Sequence, residues 1–124
     1  MGQIIIKRIY ETPFAEDGYR MLVDRLWPRG VRKEDAELDE WNKNLPPSVE
    51  LRKWFDHRPE RFKEFETKYR LELTKLKDEL KRVKDISKGS NLTLLYGAED
   101  PHINHAIVLL KVLTKAVTQN QKIK

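Results

Sequence analysis

The chain has no cysteine among its 124 residues. That excludes disulfides, thiolate metal sites and cysteine nucleophiles together, and it fits a reducing compartment. Glycine is scarce, at five residues. Gly30, Gly89 and Gly97 stand alone, so neither a phosphate-cradling loop nor a dinucleotide fingerprint can be assembled. No apolar run approaches the ~20 residues that a membrane-spanning helix needs. The opening MGQIIIKRIY has too short an apolar run for a secretory leader, with a lysine inside it. Gly2 resembles a myristoylation start, but Ile6 stands where that motif wants Ser or Thr. Ser48, Ser87 and Ser90 fall in capping or turn contexts, so no serine nucleophile is evident. The expectation is a cytoplasmic protein with no membrane partner and no cofactor.

What is present is enough chain for one core, burying about two-thirds of the unfolded surface. The net charge is +5, and its distribution matters more than its size. After Asp100 there are no acids, whereas Lys111, Lys115, Lys122 and Lys124 all follow it. Residues 1–118 therefore read as a single α/β domain, and 119–124 as a basic, frayed tail. A nearly neutral body with a basic end differs from the one-faced cationic footprint of a nucleic-acid binder.

Along the chain, IIIKRIY (4–10) is β-branched and apolar, as a strand should be. YRMLVD (19–24) alternates Tyr19, Met21 and Val23 against Arg20, Leu22 and Asp24, which predicts a second strand. WPRG ends it, because Pro28 lacks a ladder donor and Gly30 permits a turn. The stretch 38–45 fits either a short helix through Leu38, Trp41 and Leu45 or a strand. PPSVELRKWF predicts a helix capped by Ser48, with Glu50 in its first turn. From Pro59 to Lys88, Phe62, Phe65, Tyr69, Leu73, Leu76, Leu80 and Val83 form one helical stripe. Glu64–Lys68, Glu66–Arg70 and Asp78–Arg82 are spaced to pair on its outer face. At 1.5 Å per residue an unbroken helix would span roughly 40–45 Å, too long for a small domain, so a break is expected near Thr74. NLTLLY (91–96) reads as a central strand. Asp100 is placed to cap a last helix running from Pro101 to about Thr118. The predicted fold is α/β: one compact layered domain with a short, at least partly parallel sheet flanked by helices.

In such sheets, sites gather beyond the carboxyl ends of the strands. Asp24 and Arg25 are neighbours whose side chains point to opposite sides of a strand, so each needs its own partner. Arg29 follows a Trp-Pro pair that could hold a guanidinium rigid for carboxylate or phosphate recognition. The competing role for these arginines is structural, tying the loop to the carboxylates at 16–18. After the third strand, Tyr96 stands at a strand end and His105 near a helix start, where a histidine can move a proton near neutrality. His102 and His105, with Glu99 and Asp100, lack a third local histidine, so no metal is expected.

GYRMLVDRLWPRG, NLPPSVELRKWF and LLYGAEDPHINHA, in this order across about residues 5–114, resemble the short, YeaO-like members of the bacterial family called domain of unknown function 488. The resemblance implies a compact α/β domain and assigns no activity. Longer relatives typically carry cysteines where this chain has Tyr96 and Asn104, and an arginine where Ala106 stands. Of that pattern Asp100, Pro101 and His105 carry over, so thiol chemistry does not transfer. Short members often have Asp, a good helix cap, at the position of Arg58, a difference of about 1 kcal/mol.

The reading that follows is a polar pocket at the strand ends, in which Arg25, Trp27, Arg29 and Tyr96 contact an anionic small molecule. Asp24 and His105 would handle a proton if chemistry occurs. Two alternatives stand beside it. One is a nucleic-acid-binding module using Lys111, Lys115 and the tail with Arg61 or Arg70. The other is a partner-binding protein using the long charged helix.

Overall fold

The computed structural model describes residues 2–123, with side chains through Thr114. Its centre is a four-stranded sheet of β1 (Ile4–Arg8), β2 (Tyr19–Leu22), β3 (Glu40–Trp41) and β4 (Leu92–Tyr96), in the order β1-β4-β2-β3. Every pairing is parallel, so all the strand carboxyl ends lie at one edge. The alternation in YRML sorts the two faces. Met21 and Val23, with Leu92, Leu94 and Tyr96, face the main core, while Leu22 and Leu95 face a smaller cluster. β4 is buried at every residue, as a strand flanked on both sides and covered on both faces must be.

The main core is closed by α2 (Val49–Phe55), α3 (Phe62–Leu73), α4 (Lys77–Gly89) and α5 (His105–Ile123). They contribute Phe55, Phe65, Tyr69, Leu73, Val83, Val108 and Leu109. The other face is covered by Ala36 of the short α1 (Lys33–Ala36) together with Trp27, Val31, Leu38 and Trp41. Trp27 and Trp41 meet edge to face at 5.2 Å. The ambiguous stretch 38–45 thus resolves into a two-residue edge strand, set by Met21 and Leu22 pairing with Glu40 and Trp41.

The expected break in the long helix is a 3-10 turn at Thr74–Leu76 between α3 and α4. Ser48 caps α2 as read, its Oγ accepting the Leu51 N–H at 3.2 Å. Two expectations need correction. Arg82 pairs with Glu79 and Glu40, not with Asp78, because the register after the 3-10 turn brings Glu40 of the neighbouring strand into reach. The last helix begins at His105, not Pro101. Asp100 accepts the N–H groups of His102 and Ile103 in a separate turn, and Asn104 caps the helix by accepting the Ile107 N–H at 3.0 Å. The backbone of α5 continues to Ile123. The tail side chains, with Lys115, Lys122 and Lys124, lie outside the described residues.

Candidate functional site

The chain leaving β2 meets the chain leaving β4 at the carboxyl edge of the sheet. Asp24 Oδ2 accepts the Gly97 N–H at 2.8 Å, tying the two strand ends together. This contact is why a glycine follows β4: a Cβ there would sit 3.0 Å from the same oxygen. The other carboxylate oxygen, Oδ1, is buried and lies 3.2 Å from His105 Nε2 without a formed hydrogen bond. Nε2 instead lies 2.7 Å from the Val23 carbonyl oxygen. A carbonyl can only accept, so this nitrogen carries a proton. Asp24 and His105 are therefore brought together at the head of α5, each line of contact running through the strand ends.

Arg25 points the other way. Its Nε donates to the Pro47 carbonyl at 3.2 Å, and its Nη2 to the Pro46 and Pro47 carbonyls at 3.1 Å each. Both prolines are buried. A Pro-Pro segment has no N–H groups to exchange, so buried carbonyls there need a donor from elsewhere. Arg25 supplies it, and its fork is largely committed to the fold.

Trp27 donates its indole N–H to the Val31 carbonyl at 2.6 Å, and Trp41 donates to the Asp24 carbonyl at 2.8 Å. These bonds fix the loop 24–31. Trp27 packs on Trp41, so the stacking expected between it and Arg29 is replaced by an aromatic pair. The carboxylate of Asp17 likewise holds Arg20 and Lys7, not Arg29. Arg29 is exposed, and among the described residues its guanidinium has no hydrogen bond or ion pair.

These residues border a cleft of about 670 Å³, lined by Asp24, Arg25, Trp27, Arg29 and His105 among others. Tyr96 is not part of its wall. It is 3% exposed, and its hydroxyl bonds the Asn104 side chain. Burial, with Glu11 adding to it, raises that hydroxyl above its ordinary value. Among the described residues no group of three or more His, Asp or Glu side chains is arranged to hold a metal ion. No helix among them is long and apolar enough to cross a membrane.

The family model for the "Inactive DUF488-N3 subclade" matches residues 3–124. The chain belongs to that subclade of the DUF488 family. It is 50% identical over 103 residues to the "Uncharacterized protein YeaO" of Escherichia coli, covering 83% of this chain and 90% of that one. It is 38% identical over 111 residues to "Uncharacterized protein Rv3073c" of Mycobacterium tuberculosis and to "Uncharacterized protein Mb3100c" of Mycobacterium bovis, covering 90% of this chain and 93% of each. No solved structure matches the chain.

Within this DUF488 chain, the positions where longer relatives typically have cysteine form the bonded Tyr96–Asn104 pair, and Ala106 is fully buried beside them. Two further cleft residues escaped the sequence reading, Arg52 and His57. Arg52 reads as one more charge on the outer face of a short helix. His57 sits in a loop whose shape no residue type announces. Both Asp56 and His57 have left-handed backbones, at φ 50° and 54°, without being glycine. Each such residue costs roughly 1 kcal/mol relative to glycine. The one available signal was the absence of glycine after α2, where helices commonly end on one.

Proposed function

We propose that the cleft at the strand carboxyl ends binds an anionic small molecule, with Arg29 as its principal charged contact. The observation that carries this reading is the state of the cleft's charges. Asp24 is held by Gly97, Arg25 by the two proline carbonyls, and Asp100 by the N–H groups of its own turn. Arg29 lines the same cleft, and its guanidinium has no partner among the described residues. A guanidinium kept at the rim of a concave site, without a protein partner, suits a carboxylate or phosphate arriving from solution.

The subclade's description as inactive favours binding over turnover. If a proton is moved in the cleft, the Asp24–His105 pair is the group placed to do it, with the carboxylate stabilising an imidazolium. The nucleic-acid alternative is less well supported. Arg70 pairs with Glu66, Lys111 lies 3.8 Å from the same carboxylate, and Arg61 donates to the Trp54 carbonyl. Salt-insensitive or absent binding of DNA and RNA at low ionic strength would remove it.

A thermal-shift screen of acidic metabolites tests the main reading. The expected result is at least one compound that raises the melting midpoint of the parent and fails to raise that of Arg29→Ala. A complete panel without effect on the parent would sink the proposal.

A further inference from the structure

We infer that the cleft is built for an amphipathic anion, an organic acid or phosphate ester with an apolar body. Arg52 and His57 share its head group with Arg29, and Leu26 and Tyr10 cover its body. This rests on the anion-binding reading above and adds its second wall and its ligand class.

The head-group side of the inference comes from α2 and the loop behind it. Arg52 stands in the last turn of α2 and lines the cleft, with no ion pair or hydrogen bond to its guanidinium among the described residues. His57 follows after one residue of cap, in the second of two successive left-handed positions. A glycine at either place would remove the strain. Keeping Asp and His there instead holds an imidazole at the cleft wall. Its ring lies 6.3 Å from that of Phe55, which also lines the cleft. Glu99 is the one acid of the wall without a partner among the described residues. Against it stand two uncommitted guanidiniums and an imidazole, so the open charge of the cleft is positive.

The body side comes from the rim. Leu26 is 60% exposed and Tyr10 48% exposed, and both border the cleft. The Tyr10 hydroxyl donates to the Arg29 carbonyl at 2.9 Å, so the apolar rim and the guanidinium that would meet the head group are fastened together. Apolar side chains left open beside a charged pocket are what a ligand with an apolar portion would cover. A bare inorganic ion would leave them wet.

Equilibrium titrations with four probes test this: phenyl phosphate and benzoate against inorganic phosphate and acetate, at fixed pH and ionic strength. The expected result is that an aryl anion binds the parent about tenfold or more tightly than its bare counterpart, a preference worth ~1.4 kcal/mol. Whichever aryl anion does so names the head group. Arg52→Ala should weaken that anion about tenfold or more, as loss of a charge-assisted contact does. Leu26→Ser should abolish the preference for the aryl form. His57→Gly should raise the melting midpoint while weakening the anion, a combination that a purely structural loop would not give.

Bare and aryl anions binding alike, with Arg52→Ala and His57→Gly titrating as the parent does, would overturn the inference. If Arg29→Ala then still lost binding, the simpler anion reading would survive it. Binding of none of the four probes to the parent would also overturn the inference, while the metabolite panel decides the simpler reading.

Discussion

At the scale of single residues, the two arginines of RLWPRG (25–30) differ in their contacts. Arg25 clasps the Pro46 and Pro47 carbonyls, whereas the Arg29 guanidinium has no partner among the described residues. Arg25→Ala leaves two buried proline carbonyls without donors and should destabilise the fold by about 2–3 kcal/mol in chemical denaturation. Arg25→Lys should recover little of this, because an ammonium cannot reproduce a fork shared between two carbonyls. A lysine variant as stable as the parent would contradict that assignment. Gly97 offers a second check. Gly97→Ala places a methyl 3.0 Å from Asp24 Oδ2, and the oxygen cannot retreat without losing the Gly97 N–H. A loss of about 1 kcal/mol is expected, with the His105 ring resonances shifted because its carboxylate neighbour moves. An unperturbed His105 spectrum would argue against the Asp24 linkage.

At the scale of elements, local chemistry decides where the helices start and stop. Ser48 both caps α2 and donates its hydroxyl to Glu72 Oε2 at 2.6 Å, while Glu72 Oε1 accepts the Ser48 N–H at 2.8 Å. One residue thus fixes the start of α2 against α3. Ser48→Ala should cost about 1–2 kcal/mol, toward the upper end for a lost cap because Glu72 also loses a donor. A change below a few tenths would mean that the cap is dispensable. The α3–α4 break was legible from length alone, and the strands β1, β2 and β4 from their β-branched and alternating runs. β3 was not legible, since two residues carry no period, and its existence depends on β2 offering an edge. The start of α5 is not legible from residue types, because Asp100 and Asn104 can each cap, and only the tertiary path lets Asp100 close a turn of its own.

At the scale of the whole molecule, two polar networks fasten the layers. On one side Asp17 is buried between Arg20 and Lys7, at 2.5 and 3.0 Å, while Arg20 also donates to the Ala36 and Glu37 carbonyls. Burial pushes the Asp17 carboxyl upward, but the Phe14 N–H and the two cations outweigh it, so the net shift is downward. A depressed carboxyl contributes stability that is present above its unfolded value near 3.9 and lost as pH falls through the lower folded value. The melting midpoint of the parent should therefore fall more steeply on acidification below about pH 4 than that of Asp17→Asn. Parallel curves would show that the cluster does not govern acid stability. On the other side Arg82 bridges Glu40 and Glu79 at 2.6 and 2.9 Å, and Glu40 accepts the Tyr19 hydroxyl at 2.8 Å, joining α4 to the sheet edge.

Between these fastenings the cleft at the strand ends is bordered by Arg29 and Arg52, whose guanidiniums have no partner among the described residues. The sequence was sufficient to point to that edge, and to Asp24, Arg25, Trp27, Arg29 and His105, because strand endings and the glycines after them are visible as residue types. It was insufficient for Arg52 and His57, whose relevance depends on a left-handed turn written without glycine, and for Tyr96, whose burial follows from β4 lying between two strands. The proposed function requires that Arg29 be held for a ligand and not for the fold. Its most direct test is the melting midpoint of parent and Arg29→Ala, each with and without phenyl phosphate. Equal midpoints are expected without the ligand, with a ligand-induced rise in the parent alone. A drop of roughly 10 °C in the unliganded variant, as a loss of ~3 kcal/mol would give, would contradict it and make Arg29 part of the clasp.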